Sequence, residues 1–364
     1  MRTIRSDKSL ILALFFLPLA LLAHDGKLNG KYTKEKTIKK EYRVNPDALL
    51  KIDNSYGSLT LSSWNENRVV IEVQIKTSGN NEDKVQDKLD EITVDFDAST
   101  SMVSAKTNFD SKRGWSWNWG RNNNVDMQVN YTIKLPVKNS INLSNDYGNI
   151  TLDRLDGHAK ISCDYGRLEI GELHGRNNQL NFDYTSKSNF GYINSASINA
   201  DYSGFTVERA GDLSITADYT NATIIKTDNL NYTNDYGSLE VEEVGNVQGR
   251  GDYINTKLGT VHGNVDIAAD YGSLEVRKMA ADAGNLNIQT DYTGIKFGYA
   301  AQYNFDFEIS TDYAGVDGRE NLEINISEEK GSKRYYKGYH GQARSGRMVS
   351  IRSDYGGISL KRVE

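Results

Sequence analysis

The sequence predicts an all-β protein: a parallel β-solenoid, right-handed by preference, of about 17–21 residues per turn, with a small N-terminal α+β cap. Three observations predict it. Asp-Tyr recurs at a short, nearly fixed interval, placing Tyr147, Tyr165, Tyr184, Tyr202, Tyr219, Tyr236, Tyr253, Tyr271, Tyr292 and Tyr313, then Tyr355, with the variant Ser55-Tyr56 far upstream. Such a period signals stacked copies of one supersecondary unit. Apolar pairs flank most of the tyrosines at constant offsets, as in Leu213/Ile215 before Tyr219 and Leu239/Val241 after Tyr236, the copy at Tyr184 being irregular with Lys187 and Asn189 in the downstream positions. Each pair alternates with polar residues, the period of a half-buried strand. Lastly, 3 prolines beside 32 glycines suit many short strands joined by tight turns.

Taken from the N-terminus, residues 1–23 read as a secretory signal. Arg2, Arg5 and Lys8 form its basic end, residues 10–22 an apolar run broken by Pro18, and Ala23 the cleavage position. That run is short for a membrane span, and no later stretch is apolar for long enough, so no stable transmembrane segment is expected after cleavage. The expected address is the periplasm, the outer-membrane surface or the exterior. The whole chain carries a net charge of −6, and removing three basic residues and one acidic residue with the signal leaves −8. This balance argues against nucleic acid, which needs a basic footprint. Cys163 is the only cysteine, so no intramolecular disulfide can form.

Residues 24–140 are expected to form the cap together with the first coil at Tyr56. Within them, 68–75 is a strong strand. Residues 81–92 carry Val85, Leu89 and Ile92 at helical spacing behind Asn caps, and 94–96, 102–107 and 125–135 read as antiparallel strands. An open solenoid end exposes an unpaired strand and needs such a cover. Residues 141–364 hold the repeats, interrupted by a basic-aromatic excursion at 320–347 that fills the space of one repeat. The tyrosine itself is ambiguous: the upstream strand's phase points it inward, the downstream strand's phase outward. The residue two positions earlier is small and inward by phase, as in Cys163, Ala200, Ala217 and Ala269. Handedness follows the rule for parallel crossovers. A left-handed hexapeptide helix is the alternative, although the six-residue apolar beat is missing.

The order of parts resembles a known family. A Gly-Ser-Leu-Thr-Leu start at 57–61 is followed by Trp64 and a Val-Ile-Glu-Val strand. A helix, a hairpin and a strand ending Ile133-Lys134-Leu135-Pro136 come next, then repeats of the form Asp-Tyr-Gly-x-Leu-x-Val. Over about residues 40–360 this is similar to the "putative adhesin" family of bacterial exported β-solenoid proteins. Asp-Tyr-Gly stands where that family more often has Ser-Gly-Asp. The resemblance implies an exported β-solenoid and no catalytic motif, so it transfers no functional residue.

Two segments are candidate binding sites. Trp115, Trp117 and Trp119, flanked by Arg113 and Arg121 and rich in neighbouring Gly and Asn, share one face if the segment is extended. They can stack on sugars or lie at a membrane interface, or pack onto the cap's own core. Lys333, Arg334, Tyr336 and Lys337 interleave charge with aromatic rings, a pattern that meets polyanions or simply forms a solvated hairpin. The aspartate column offers one carboxylate per turn, too few for calcium. Arg250-Gly251-Asp252 contains the repeat aspartate and reads as coincidence, and His158, His174 and His262 lack metal-ligand spacing. No catalytic residue, cofactor or metal is expected. The function predicted is non-enzymatic binding or scaffolding at the envelope or cell surface, with a glycan or an envelope or surface protein as partner. The alternatives are a carbohydrate-active β-helix enzyme and a periplasmic structural or regulatory protein with a protein partner.

Overall fold

The computed structural model describes residue 28 and residues 30–109 and 125–364. The signal stretch and the segment holding Arg113, Trp115, Trp117, Trp119 and Arg121 lie outside the described residues. The described chain is all-β but for the helix Glu82–Glu91 and one short 3-10 turn, and its strands join in one long, mostly parallel, unclosed sheet.

Each turn pairs in register with the next. Leu213, Ile215 and Ala217 lie beside Leu230, Tyr232 and Asn234, and Phe205 and Val207 beside Ala222 and Ile224. One turn displays the rule that shapes all of them. In Gly204–Asp218 the buried positions are Phe205, Val207, Ala210, Leu213, Ile215 and Ala217. Steps of two mark straight strand, where side chains alternate between faces. The two steps of three, from 207 to 210 and from 210 to 213, break the alternation and bend the chain while keeping an apolar residue inward. The next turn repeats this with Ala222, Ile224, Thr227, Leu230, Tyr232 and Asn234. The core is therefore a set of columns, each inward side chain resting on its counterparts in neighbouring turns.

The N-terminal segment departs from the expected all-antiparallel arrangement. Ile92–Ala98 and Met102–Phe109 do form an antiparallel pair, and Arg68–Gly79 lies antiparallel between Tyr32–Arg43 and Val125–Pro136. Yet Met102–Phe109 also pairs parallel with Leu49–Ser55, and Val125–Pro136 parallel with Leu59–Trp64. These strands thus supply the hydrogen-bonding partner that the first coil, Leu49–Ser55 and Leu59–Trp64, lacks on its outer side. The helix begins where Asn81 accepts the Lys84 N–H at 3.0 Å, and it buries Val85 and Leu89. The outermost strand, Tyr32–Arg43, carries Lys34, Lys36, Lys39 and Lys40, charges that discourage edge-to-edge pairing.

At the other end the spatial order of turns differs from the chain order. After Leu286–Ala300 the chain runs on to Phe305–Asp312, which lies not beside it but one layer further out. The layer between is filled by the last segment. Met348–Asp354 pairs parallel with Leu286–Ala300 on one side and with Phe305–Asp312 on the other. Ile358–Val363 is likewise held between Leu286–Ala300 and the two-residue strand Val316–Asp317. Residues 320–347 supply the covering hairpin, with Lys333–His340 antiparallel to Phe305–Asp312 and Glu323–Lys330 outermost.

Candidate functional site: an exposed tyrosine column

All twelve repeat tyrosines adopt left-handed backbone, with φ between 51° and 60°. This resolves the ambiguity of phase. A left-handed residue shifts the alternation by one, so Asp and Tyr both face outward in succession and the following residue turns inward. Thr220 after Tyr219 and Ser203 after Tyr202 are buried accordingly. The Thr220 hydroxyl donates to the Ala200 carbonyl at 2.7 Å, and that of Ser203 to the Phe182 carbonyl at 3.2 Å. Small residues two before the tyrosine leave room for this inward turn, not for a ring. Where glycine follows the tyrosine, as at Gly166, a Cβ would lie 2.1 Å from the Gly148 carbonyl oxygen.

Backbone bonds fix the corner from turn to turn. The Tyr219 N–H donates to the Asp235 carbonyl at 2.9 Å, Tyr236 to Asp252 at 3.0 Å and Tyr253 to Asp270 at 2.9 Å. The aspartate side chains add a second ladder. Asp183 Oδ1 accepts the Asp201 N–H at 3.0 Å, Asp201 Oδ1 that of Asp218 at 3.0 Å, and Asp235 Oδ1 that of Asp252 at 2.7 Å.

The outcome is one continuous aromatic stack. From Tyr56 through Tyr147, Tyr165 and each repeat to Tyr292, then Tyr355 and Tyr313, successive ring centroids are 4.7–5.3 Å apart and planes differ by 1–7°. Phe109 closes the first end edge-on against Tyr56 at 5.6 Å. Tyr147 to Tyr292 are 46–53% exposed and Tyr313, the terminal ring, 64%. Stacking covers ring faces, so solvent meets phenol edges. Lost water contact inside the stack, then neighbouring phenols and aspartates, raise the pKa of Tyr165, Tyr202, Tyr236, Tyr271 and Tyr355, so these hydroxyls stay protonated.

The column carries a backbone cost that its stacking offsets. A left-handed conformation costs a bulky L-residue about 1–2 kcal/mol, and glycine would avoid that cost. An aromatic pair returns about 0.5–1.5 kcal/mol beyond the surface its rings bury against each other. Stacking thus offsets the strain, and the left-handed corner keeps the rings outside. Strained positions of this kind gather at functional surfaces.

The aspartates alongside crowd like charges. Burial, then neighbouring aspartates, lifts the carboxyls of Asp146, Asp218 and Asp252 above their ordinary 3.8. The folded state therefore binds protons more tightly than the unfolded one. The penalty stands in full at pH 7 and is relieved as pH falls through the raised values toward 3.8. Replacing Asp201, Asp218, Asp235 and Asp252 with Asn keeps the acceptor oxygens and removes the charge. This variant should melt at a higher temperature than the parent at pH 7, the gap narrowing at pH 4. A lower melting temperature at pH 7 would contradict the repulsion.

The other candidates are distributed as follows. Lys333, Arg334, Tyr336 and Lys337 share one strand of the end hairpin. Tyr336 is buried, donates its hydroxyl to Glu329 Oε1 at 2.8 Å and is covered by Arg319 at 4.4 Å. Arg334 reaches the Ala314 carbonyl at 3.4 Å, Lys337 lies 4.0 Å from Glu308, and Lys333 is exposed. Gly251 of the Arg-Gly-Asp triplet is buried at the end of the strand Gly237–Asp252. His174 contacts Glu172 at 2.7 Å and His262 contacts Asp282 at 3.2 Å, while His158 lies 3.4 Å from the Arg176 carbonyl. Among the described residues no group of three or more His, Cys, Asp or Glu is arranged to hold a metal. Burial pushes the Cys163 thiol up to about 12, which makes it unreactive. A shallow open groove elsewhere is lined by His174, Tyr192, Arg209 and Lys226, with the Arg209 guanidinium 4.9 Å over the Tyr192 ring.

Comparison with family models finds no match, and no curated protein matches. Several solved structures are similar in outline. A "putative cell adhesion protein" from Clostridium sporogenes is 11% identical over 91% of this chain and 100% of its own, with a TM-score of 0.20. A "putative adhesin" from Bacteroides fragilis is 11% identical over 90% and 97%, with a TM-score of 0.25. A "putative lipid binding protein" from Parabacteroides distasonis is 12% identical over 71% and 93%, with a TM-score of 0.34. Scores this low assign neither function nor site. Among the described residues no helix is long and apolar enough to cross a membrane.

Proposed function

We propose that this protein is an exported, non-catalytic β-solenoid of the bacterial envelope or cell surface that binds or scaffolds through its tyrosine column. The coils are taken as right-handed and the N-terminal α+β segment as their cap. Its partners are a glycan or another envelope or surface protein, and it needs no cofactor. One observation supports this above others. Twelve tyrosines are held outward in a strained conformation along the whole stack, half exposed and in line. A long, regular row of aromatic edges suits an extended partner contacted many times weakly. Trp115, Trp117 and Trp119, with Arg113 and Arg121, are a second candidate contact for the same partner, on the strength of their spacing in the sequence. Lys333, Arg334 and Lys337 form a minor, polyanion-directed site at the opposite end.

The test uses Tyr202, Tyr219, Tyr236 and Tyr253 replaced together by Asn, a residue that tolerates left-handed backbone. Labelled parent protein should sediment with isolated cell envelopes, and the fourfold variant should be retained at least about tenfold less while keeping its β-sheet circular dichroism. Equal retention of both would remove the column from the function. A parallel variant with Trp115, Trp117 and Trp119 changed to Ala should lose part of the binding and melt unchanged. Early melting would instead assign those indoles to the core.

A further inference from the structure

We infer that the column's ligand is a linear, β-linked amino-sugar chain lying lengthwise, with one sugar to each tyrosine. This rests on the column being a binding surface and specifies what it binds. The geometry narrows the ligand in three steps.

Ring faces come first. Each interior tyrosine has both faces covered by its neighbours at about 5 Å, so flat ligands and single sugars have no face to stack on. What remains outside is a line of phenol hydroxyls and ring edges. Such a line gains strength only from a ligand that meets many rungs at once.

Spacing is the second step. The rungs repeat at the distance between paired strands, about 4.8 Å, over eleven steps, on the order of 50 Å in all. A partner keeps contact over that length only if its own repeat matches. An extended polypeptide advances about 3.3 Å per residue, so its same-facing side chains come every 6.6 Å and drift out of phase within a few rungs. An equatorially linked β-(1→4) hexopyranose chain advances by roughly one strand spacing per sugar. Its two edges alternate along the chain, so it turns an amine toward every second rung and a hydroxyl toward the rungs between. Because its advance is only slightly more than the strand spacing, it drifts far more slowly than a polypeptide.

Charge is the third. Beside every tyrosine from Tyr147 onward stands an aspartate, and these carboxylates lie in register from turn to turn: Asp201 beside Asp218, Asp218 beside Asp235, Asp270 beside Asp291, and Asp354 between Asp291 and Asp312. Burial, then the charge of neighbouring aspartates, raises the pKa of Asp218 and Asp252. A polyanionic glycan meets this line unfavourably. A chain with a protonated amine on each sugar relieves it, placing a cation by every second carboxylate and its hydroxyls by the phenols.

The experiment measures binding of β-(1→4)-glucosamine oligomers of increasing length to the full chain by calorimetry. Their N-acetylated counterparts, a polyuronate, oligolysine and spermine serve as comparison ligands. Affinity should rise at least about tenfold from tetramer to octamer and weaken steeply with salt. It should be lost when Tyr202, Tyr219, Tyr236 and Tyr253 become Asn, and reduced about tenfold or more when the neighbouring aspartates become Asn. Length-independent binding, a preference for the polyuronate, or oligolysine or spermine binding as tightly and surviving the tyrosine changes would each overturn the inference. If the parent sediments with envelopes through its tyrosines yet ignores these oligomers, the ligand assignment fails and the binding surface stands. If the parent does not sediment at all, the broader reading fails.

Discussion

Removal of residues 345–364 should unfold the end of the molecule well beyond the deleted segment. That segment fills the layer between Leu286–Ala300 and Phe305–Asp312, so its loss leaves two strand edges unpaired instead of trimming one. Val349, Ile351, Ile358 and Leu360 go from the core. At about 1.5–3 kcal/mol for each fully buried side chain, the direct loss is on the order of 6–12 kcal/mol, comparable with the whole stability of an ordinary domain. Because each turn of a repeat architecture contacts only its neighbours, the damage should stay local. Hydrogen exchange should therefore show protection lost across residues 305–340 and retained before Met279. Protection persisting in 305–340 after truncation would mean that the outer turn stands by itself.

The second large effect is expected at Tyr232 and Gly249. The column they share is otherwise aliphatic, with Ile198 and Ile215 below and Ile267 above. Tyr232 puts a full ring there, buried to 2% exposure, and Gly249 in the next turn supplies the space. A Cβ on Gly249 would lie 2.0 Å from Tyr232 Cε1. The ring's hydroxyl contacts Thr256 Oγ1 at 3.4 Å, and burial pushes its pKa up to about 12. Tyr232→Ala should cost about 3–5 kcal/mol, as core aromatic truncations do. Gly249→Ile alone forces the ring off its site and should cost at least about 2–3 kcal/mol. The double variant Tyr232→Ile/Gly249→Ile restores the column's usual filling, so its loss should fall short of the summed single losses by about 2 kcal/mol or more. Additive losses in denaturant melts would show that the ring and the glycine are not partners.

Much of this architecture was legible because a repeating sequence states its pattern many times over. Alternation around each tyrosine located the strands, and the smallness of Cys163, Ala200 and Ala217 correctly placed that column inside. The helix was visible from Val85 and Leu89 behind Asn81. The orientation of the tyrosines was not readable from alternation. The left-handed corner consumes one step of phase, and tyrosine is a residue that normally avoids that conformation, so propensity gave no warning. The exchange of the last two turns was hidden for a different reason. Residues 305–317 and 348–363 carry the same pattern, and nothing local tells such a segment which copy it must pair with. The mixed pairing of Met102–Phe109, antiparallel on one side and parallel on the other, was equally out of reach, because a strand's own residues do not record the direction of its neighbours. In the basic-aromatic hairpin, composition read alone could not reveal that Tyr336 faces inward while Lys333 faces solvent.

The self-contained nature of each turn has a consequence for how such a molecule can change over generations. Interior columns look only to the turn above and the turn below, and the corners from Tyr147 to Tyr253 are all closed by the same Asp-Tyr bonds. Inserting or deleting one whole repeat by unequal recombination would leave both flanking turns with suitable neighbours and lengthen or shorten the row of phenols by one. The reach of the molecule is thus free to evolve in discrete increments, like the marks on a ruler, while its cross-section stays fixed.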